Sequence, residues 1–549
     1  VLITSTNRGF QNNDTIGGKR NDRYAYSNAI AFNGDDGILV AGASGVSVVN
    51  SIVEANAGGG VTLLGAENTR IGVAGNNNSI VRNGTWGVYA SGSLTNSSVQ
   101  DNVIRGNRGS GVVLRAAQGL LVGGTANDSG NTITRNKAFG LLATGNCSGS
   151  KVEGNTIKHN AAGNRNVARS SGLVLVDYSL ILGENESVTG VRGARGKKVI
   201  LVGSYLPDNE LRNPVMGQWW VGDLSTGVGQ KVRVIPTFSG QTVTTSVYYG
   251  PNTDAFNPAL GKNNIRVVGT YEYSQNGTPV SGEHGVLYQG PANGVGGTWT
   301  QINVPDSLAG GTVTNTIPHS TMGNLVVGNY SVEGQPVGAA SAFIYEISTG
   351  TYQLFDSSWD GLTDLTSAYG IWQNGGPSST FYTIVGGQVH EGANTAYMVN
   401  YDSATQTFSN KAFFPLGVGL AGDTHFEGIN AAPGGYTLSA TILSGGTTSA
   451  AYAYVPVNSD GSFGTAQWVP LNYPGSSFCS GNTVYQNVEM GICILPNPDP
   501  ISPRYIERTY KATVIVTGNP AGSGFDPRPS HNVVALGGGM EGKGRVGDT

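Results

Sequence analysis

The chain has 549 residues, 85 of them glycine, with 12% charged residues and a formal net charge of −4. So small a charge excludes an extended nucleic-acid groove or an anionic-membrane surface, and no apolar run is long enough to cross a bilayer. We therefore expect neither a nucleic-acid partner nor a membrane span. The turn-rich and strand-rich composition predicts an all-β protein, and the length predicts more than one domain.

One short phrase recurs between residues 28 and 160: an aliphatic residue, two variable residues, Asn, three more residues, then Gly and a hydrophobic run. Its copies follow one another at a nearly constant spacing, which is that of one turn of a parallel β-helix with one loop of variable length. The repeated pairs are Asn33/Gly37, Asn56/Gly60, Asn83/Gly87, Asn107/Gly111 and Asn136/Gly140, with Asn160 in a sixth copy that lacks the Gly. Each copy has too little apolar surface to form a core alone, so the period predicts a solenoid of stacked coils.

The repeated Asn and Gly have a structural explanation. Asn at a corner tolerates a left-handed backbone, and its amide can hydrogen-bond to the Asn of the next coil. The Gly four residues later opens the next strand without a side chain that would clash. We predict that all six Asn residues are structural.

Three further phrases carry a family resemblance: Ile16-Gly17-Gly18 before Asn28, Ile71-Gly72 before Asn78, and Val122-Gly123-Gly124-Thr125 before Asn131. They resemble the repeats of right-handed parallel β-helix proteins of the pectate-lyase-like superfamily, over roughly the first third of the chain. The resemblance implies the fold. It does not imply one activity, because the superfamily holds polysaccharide lyases, hydrolases, phage tailspikes, adhesins and surface proteins without catalysis.

A different repeat begins after residue 198. Aliphatic runs that end in a small residue recur at a longer, fairly regular spacing, at 199–203, 265–269, 325–328, 382–386 and 437–440. Each is accompanied by further short strands rich in aromatic residues, and four strands per unit is typical of a propeller blade. We predict five units plus a divergent sixth from Cys479 to Val516, in a five- or six-bladed β-propeller-like domain. A pair of β-sandwiches is the alternative.

The segments 342–345 and 350–352 are similar to extracellular repeats named for a His-Ala-Phe signature, although the His is missing. That similarity implies a secreted or cell-surface β-repeat. Because the chain begins with Val1 and no leader precedes it, we expect a processed or partial form. We predict a parallel β-helix over 1–190, the propeller-like domain over 191–517, and a Gly/Pro-rich C-terminal extension over 518–549.

Asp35 and Asp36 are weak catalytic candidates, because polygalacturonase-like hydrolases hold paired Asp residues as acid and base. The Gly-His-Gly and Arg-Ile-Lys motifs of those enzymes are absent from this sequence. Two Asp between Gly34 and Gly37 also make an ordinary turn, and a weak Ca²⁺ site is a further alternative. We favour the turn and expect no other cofactor.

A basic set lies beside the Asn corners: Arg82, Arg105, Arg135, Lys158 and His159. Coils stacked at about 4.8 Å would join these cations into a ribbon able to follow an acidic glycan. Lyases of the superfamily use Arg or Lys as the base, which makes Arg105 a weak candidate, but the accompanying calcium-binding acids are missing here. A solvated turn face is the favoured interpretation.

The six His residues are scattered singly, so no close-spaced metal pair is visible and the metal content is unknown. Asp423, His425 and Glu427 alternate and would share one face of a strand. In a propeller that face could line the channel and bind metal or sugar, although simple burial or exposure is favoured. Cys479 and Cys493 form either a disulfide or two free buried thiols.

Two functional hypotheses follow. The first is an extracellular or cell-surface structural or adhesive protein, assembling as a homo-oligomer, filament or surface layer without catalysis, with a glycan or surface ligand as the conceivable partner. The second is a polysaccharide lyase or glycoside hydrolase, including a phage tailspike-type depolymerase, acting on an acidic glycan. The lack of a complete catalytic motif favours the first.

Overall fold

The computed structural model describes residues 1–4, 15–17, 28–207, 215–335, 340–355, 366–416, 423–497 and 505–518. Over these residues the protein is all-β, as predicted, with 41 strands beside one turn of α-helix, α1 (Asp306–Ala309), and a 3₁₀ turn (Pro258–Leu260). The predicted C-terminal extension, from residue 519 onward, lies outside the described residues.

The N-terminal part is a solenoid of parallel strands. These are β1 (Leu2–Thr4), β2 (Thr15–Ile16), β3 (Asn28–Ala31), β4 (Ile38–Ala41), β5 (Ser47–Val48), β6 (Ser51–Glu54), β7 (Val61–Leu64), β8 (Arg70–Ile71), β9 (Asn78–Val81), β10 (Val88–Val99), β11 (Asn102–Arg105), β12 (Val112–Gly123), β13 (Thr132–Thr134), β14 (Phe139–Thr144), β15 (Lys151–Glu153), β16 (Thr156–Lys158), β17 (Gly163–Val167) and β18 (Val174–Glu184). On one side, β3, β6, β9, β11, β13 and β16 form a parallel sheet of six coils. Inward Val, Ile and Leu side chains from the stacked coils fill one continuous core.

The six corner Asn residues form an uninterrupted ladder. Each amide nitrogen donates to the amide oxygen one coil further on, at 2.7 to 3.0 Å, along Asn33, Asn56, Asn83, Asn107, Asn136 and Asn160. The left-handed residue at each corner is not the Asn, as we expected, but the one before it: Phe32, Ala55, Arg82, Gly106, Arg135 and His159. The chain turns at that preceding residue, so the Asn that follows can bury its amide against the next coil.

The fixed spacing from Asn to Gly reflects close packing. A Cβ at Gly111 would lie 2.8 Å from Nδ2 of Asn136, and one at Gly60 would lie 2.9 Å from Nδ2 of Asn83. Neither glycine has a left-handed φ, so it is space, and not backbone conformation, that requires Gly. A second ladder, which the repeat analysis missed, runs through Asn78, Asn102, Asn131 and Asn155.

The remaining strands form antiparallel sheets. They are β19 (Gly190–Gly193), β20 (Val199–Tyr205), β21 (Met216–Asp223), β22 (Val228–Val232), β23 (Gln241–Thr253), β24 (Asn264–Gln275), β25 (Thr278–Pro291), β26 (Thr298–Gln301), β27 (Val313–Met322), β28 (Leu325–Val332), β29 (Ser341–Glu346), β30 (Thr351–Leu354), β31 (Gly370–Gln373), β32 (Phe381–His390), β33 (Ala393–Asp402), β34 (Thr407–Phe414), β35 (Asp423–Ala432), β36 (Gly435–Ser444), β37 (Thr447–Pro456), β38 (Gln467–Leu471), β39 (Phe478–Tyr485), β40 (Val488–Pro496) and β41 (Tyr505–Val516). From β19 to β38 they make five four-stranded sheets, each from four consecutive strands. The predicted propeller-like arrangement is confirmed, and the alternative of two β-sandwiches is wrong.

A sixth antiparallel unit completes the ring. It contains β39, β40 and β41, and its fourth strand is β18, the last strand of the solenoid. On one side β39 contacts β35, β36 and β37 of the fifth sheet, and on the other it contacts β19 of the first. The divergent unit predicted from Cys479 to Val516 therefore lies between the fifth and first sheets. Its outer strand, β18, belongs to the N-terminal part of the chain.

Strand β18 belongs to both halves of the molecule. Residues 174–176 pair in parallel with β15, and residues 174–184 pair antiparallel with β41. One hydrogen-bonded sheet thus continues from the solenoid into the propeller. The boundary predicted between residues 190 and 191 falls within β19, one short connection after this shared strand, and the domain limits stay a prediction.

Candidate functional site

The first strand of every unit faces the axis of the propeller. A cavity of about 20 Å³ on this axis is lined by residues from all six of these inner strands or the residues just before them. Four inner strands have a β-bulge at a residue near the axial cavity, and β23 and β27 each have one further bulge. The residues at the cavity are Tyr249, His319, Glu427 and Asn482. Bulges commonly re-aim a side chain near functional sites.

The other two units place a residue at the corresponding position, directly before the inner strand begins. We call the resulting set the axial ring: Thr189, Tyr249, His319, Tyr369, Glu427 and Asn482. The next residue in each unit is small and lines the axial cavity. A Cβ at Gly250, for example, would lie 2.5 Å from the carbonyl oxygen of His319. The inner strands therefore pack backbone against backbone below the ring.

Side chains of the ring touch one another around the mouth of the channel. Ring centroids lie 4.7 Å apart for Tyr249 and His319, and 4.5 Å apart for His319 and Tyr369. Tyr369 then lies 5.2 Å from His425, whose Nε2 is 2.7 Å from Oε1 of Glu427. The result is a contiguous arc of aromatic and ionisable groups contributed by four units.

The two histidines of this arc have opposite electrostatic environments. Burial, together with the charge of His425, lowers the pKa of His319 to about 3, so His319 is neutral at physiological pH. Burial alone would also lower the pKa of His425, but the charge and hydrogen bond of Glu427 and the charge of Asp423 raise this pKa above its ordinary value. The His425–Glu427 pair therefore retains its proton more readily than a solvent-exposed histidine does.

The tyrosines and a nearby carboxyl also have perturbed pKa values. Burial, followed by the charges of Glu283 and Glu427, raises the pKa of Tyr249, and burial with the charge of Glu427 raises that of Tyr369. Burial raises the pKa of Glu283, whose Oε1 accepts a hydrogen bond from Thr270 at 3.3 Å. The phenols stay protonated and act as hydrogen-bond donors and apolar faces. Such clustering of perturbed groups in a cleft marks a candidate site.

Sequence analysis identified part of this arc. The predicted shared face of Asp423, His425 and Glu427 lies here, with all three side chains electrostatically coupled. Tyr249, His319 and Tyr369 were missed, because each lies in a different unit of the chain and only the ring closure brings them together. The available signal was weak: a bulky polar residue before a small residue, once in each unit.

Asp36 has a structural role in the solenoid. One carboxylate oxygen accepts a hydrogen bond from Gly59 N at 2.5 Å, and the other accepts one from Thr62 Oγ1 at 2.6 Å. Trp86 Nε1 in turn donates to Thr62 Oγ1 at 3.1 Å. The backbone carbonyl of Asp35 accepts a hydrogen bond from the next coil. These contacts resemble a stacked turn more than a catalytic pair.

The basic set does not stack as a single ribbon, which was the alternative to the favoured solvated turn face. The left-handed corner column contains, in coil order, Arg82, Gly106, Arg135 and His159. The neighbouring column contains Glu54, Val81, Arg105, Thr134 and Lys158 in register. Arg82 forms an ion pair with Glu54 of the adjacent coil. Because uncharged residues separate the cations in both columns, Arg105 has no cationic neighbour in its own column until Lys158, two coils away.

The two cysteines of the sixth unit are direct cross-strand neighbours. Cys479 on β39 pairs with Cys493 on β40, and both are buried, free thiols. The two sulfur atoms are unbonded in this structure, and which of the two alternatives holds in solution, a disulfide or two free thiols, stays a prediction. Within the described ranges, no group of three or more His, Cys, Asp or Glu side chains is arranged to hold a metal ion, and calcium binding also stays a prediction. No helix of the described part of the chain is long and apolar enough to span a membrane.

A larger cavity, about 600 Å³, lies between the first and second sheets at the other end of their inner strands. Arg195, Lys198 and Lys262 line it together with Asp254, whose Oδ2 lies 2.6 Å from Nε of Arg195. The lining is basic, with one ion pair between the exposed Arg195 and the buried Asp254, and it contains none of the aromatic side chains found at the axial ring.

Comparisons with known proteins address the fold. The family described as "Right handed beta helix region" matches residues 4–181. No curated protein matches the chain. Among solved structures, a protein of unknown function from Dyadobacter fermentans is 10% identical, with 62% of this chain and 99% of that chain covered and a TM-score of 0.38.

Two further solved structures show similarly distant likenesses. A Trypanosoma rangeli sialidase is 8% identical, with 60% of this chain and 55% of that chain covered and a TM-score of 0.38. The enzymatically active domain of bacteriophage CBA120 tailspike protein 2 is 10% identical, with 59% and 51% covered and a TM-score of 0.23. Scores this low carry no functional information about the present chain. The family match covers residues 4–181, and the strand topology of the described residues is a parallel β-solenoid followed by a β-propeller-like domain.

Proposed function

We propose that this protein binds a glycan at the axial ring of its propeller, and that the β-helix is the rigid support of a secreted or cell-surface structural or adhesive protein. The observation that carries the proposal is the contiguous arc of Tyr249, His319, Tyr369, His425 and Glu427. Aromatic faces pack against the C–H surfaces of sugars, while phenol, imidazole and carboxylate groups exchange hydrogen bonds with their hydroxyl groups.

The dimensions of the channel restrict how such a ligand would bind. The axial cavity below the ring, about 20 Å³, has room for roughly one water-sized species and not for a sugar ring. A saccharide would therefore lie across the mouth, over the ring side chains. The solenoid supports the scaffold part of the proposal, because its Asn ladders and Asp36 serve stacking contacts.

The test begins with a glycan array probed with the full chain, followed by calorimetric titration of the ligand found. Glu427→Gln keeps the side-chain shape and removes the charge, and we expect it to weaken binding at least tenfold, or about 1.4 kcal/mol. Two controls should bind like the wild type: Glu333→Gln, at an exposed site, and Lys262→Gln, at the larger cavity. Melting temperatures verify that each variant is folded.

Two results would overturn the axial assignment. One is an affinity of Glu427→Gln equal to that of the wild type. The other is loss of binding in Lys262→Gln alone, which would move the site to the larger basic cavity.

Glycoside hydrolysis is the second candidate, favoured by one observation. The charges of Glu283 and Glu427 both act on Tyr249, and burial raises the pKa of Glu283. A buried carboxyl with a raised pKa, in a site that also holds a second carboxylate, can serve as a general acid. Reducing-end and unsaturated-product assays with the bound glycan test this. Glu283→Gln should then stop product formation while leaving glycan binding intact.

The same assays separate the solenoid from the propeller. If Asp35→Asn or Arg105→Ala abolishes product formation, catalysis takes place on the β-helix. That result would contradict an axial active site. If the wild type binds the glycan and forms no product, the adhesive function is the one that remains.

A further inference from the structure

A buried guanidinium lies below the axial ring. Arg192, three residues after Thr189, is 5% exposed, and its Cζ lies 5.2 Å from the centroid of Trp372. Its Nε donates to the carbonyl of Pro251 and an Nη to the carbonyl of Ile371, both at 3.4 Å. These hydrogen bonds are longer than the usual range of about 2.7 to 3.2 Å. The side chain thus reaches from the first unit across the axis to the fourth.

The charge of Arg192 lacks a counter-charge in the described part of the chain. None of the ion pairs among the described residues includes this side chain. Burial lowers the pKa of Arg192 to about 10, which still leaves the guanidinium charged at neutral pH. An unpaired buried charge is strongly unfavourable, and two long hydrogen bonds to neutral carbonyls compensate it only in part.

The axial cavity provides a place for the missing charge. Arg192 lines this cavity of about 20 Å³ together with Thr483. Oγ1 of Thr483 accepts a hydrogen bond from Val191 N at 3.1 Å, which leaves its hydroxyl hydrogen available to donate. A space that holds roughly one water-sized species admits a monoatomic ion and excludes sulfate or phosphate.

One carboxylate faces the same cavity. Glu427 is among its lining residues, and its negative charge by itself would oppose an anion. Its Oε1, however, is 2.7 Å from Nε2 of His425, whose pKa is raised. The protonated pair has no net charge, so Arg192 sets the sign of the potential in the cavity.

We propose that the axial cavity binds a small monovalent anion, a halide such as chloride, which pairs with Arg192 and ties the inner strands of opposite units together. Residues of the axial ring, Glu427 among them, line the same cavity, but the crystallographic test below needs no glycan and so can fail or succeed separately from glycan binding.

Crystals of the full chain grown in sodium bromide test the site directly. We expect an anomalous bromide peak in the axial cavity, within hydrogen-bond distance of the guanidinium of Arg192. A cavity without that peak, in crystals whose surface sites do show bromide, overturns the proposal. Because this experiment uses the wild-type chain, it does not depend on how a variant folds.

A solution experiment tests the role of Arg192. Chloride replaces gluconate stepwise at constant ionic strength, and the melting temperature of the wild type should rise with the logarithm of chloride concentration. Arg192→Gln should remove this dependence, whereas Arg195→Gln, which alters an exposed arginine at the larger cavity, should retain it. Equal chloride dependence in the wild type and Arg192→Gln contradicts the proposal.

Discussion

Glu489 on β40 has no exposed surface, and its Oε1 accepts a hydrogen bond from Ser439 at 3.1 Å while Oε2 has no hydrogen-bond partner. Burial raises its pKa well above the ordinary value, opposed by the nearby hydroxyl groups of Tyr510 and Ser439. The carboxyl is therefore protonated in the folded protein under conditions where the unfolded chain is ionised. Folding binds a proton at this residue.

This protonation predicts a pH dependence of stability. The contribution of Glu489 is fully present below the unfolded pKa, near 4.5, and is lost as pH rises toward the raised folded pKa, at up to about 1.4 kcal/mol for each pH unit. Glu489→Gln mimics the protonated form, so it should match the wild type near pH 4 and become more stable than the wild type as the pH rises from there toward 8. Denaturant unfolding over this range measures the difference. Parallel curves for both proteins would contradict the assignment, and Glu333→Gln, at an exposed site, is the control.

The Asn ladder predicts a second residue-scale effect. Oδ1 of Asn107 accepts hydrogen bonds from both the backbone and the side chain of Asn83, each at 3.0 Å. Asn107→Ala leaves those buried donors unsatisfied and should lower the free energy of unfolding by about 1 to 3 kcal/mol. The exposed Arg105→Ala, in the same coil, should change it little. Equal melting temperatures for Asn107→Ala and the wild type would rule out the ladder as a source of stability.

Glycine provides a matched pair of variants. A Cβ at Gly111 would lie 2.8 Å from Nδ2 of Asn136, whereas a Cβ at Gly34 has no atom within 4 Å. Gly111→Ala should therefore be destabilising, by about 1 to 3 kcal/mol as an overpacked core substitution, and Gly34→Ala should be nearly neutral. Thermal unfolding of the two variants measures this. If Gly34→Ala were as unstable as Gly111→Ala, close packing at the corner of the β-helix coil would not be the reason for Gly at position 111.

At the scale of elements, β18 determines how the two halves are joined. Its residues pair with β15 of the solenoid and with β41 of the sixth unit. Val176 on β18 also belongs to the apolar cluster of Tyr452, Cys479 and Tyr510. Because β18 supplies both edge pairing and core contacts, its removal would deprive the propeller of backbone hydrogen bonds and of buried apolar contacts.

Two truncations test this shared strand. A chain of residues 185–549 lacks β18 and leaves β41 with an unpaired edge, which costs backbone hydrogen bonds and favours aggregation. A chain of residues 172–549 retains β18. We expect the longer chain to melt cooperatively and the shorter one to melt at a lower temperature or to aggregate. Identical melting behaviour would show that the propeller closes without the solenoid strand.

At the scale of the whole molecule, self-association into a homo-oligomer or filament stays a prediction from the sequence. β1 is the terminal strand of its sheet in the described structure, pairing with β4 alone, and exposed strand edges recruit further strands. Light scattering on the full chain, compared with a chain ending at Gly518, is the measurement. We expect concentration-dependent growth in the full chain and less of it in the shorter one. A monodisperse monomer in both, at high concentration, would leave adhesion by a single molecule as the remaining form of the proposal.

The sequence by itself determined the features that repeat at a fixed local spacing. The Asn and Gly of each coil keep one constant separation because one coil must fit the amide of the next, so the period alone revealed the solenoid and its structural Asn residues. The alternation of Asp423, His425 and Glu427 likewise indicated a shared strand face, since side chains alternate along a strand. The sequence analysis placed the left-handed residue at the corner Asn, one residue too late. The preceding residue adopts the positive φ, and because several residue types occupy that position no pattern marks it.

Only the tertiary structure decided what depends on ring closure. Tyr249, His319 and Tyr369 come from three units, and their spacing along the chain contains no information about the distance between them until six inner strands surround one axis. The same holds for Arg192, which meets the fourth unit across that axis, and for β18, whose second partner, β41, is the last strand of the described chain. Repeated sequence patterns reflect contacts between neighbouring coils. The candidate site instead consists of contacts between distant parts of the chain.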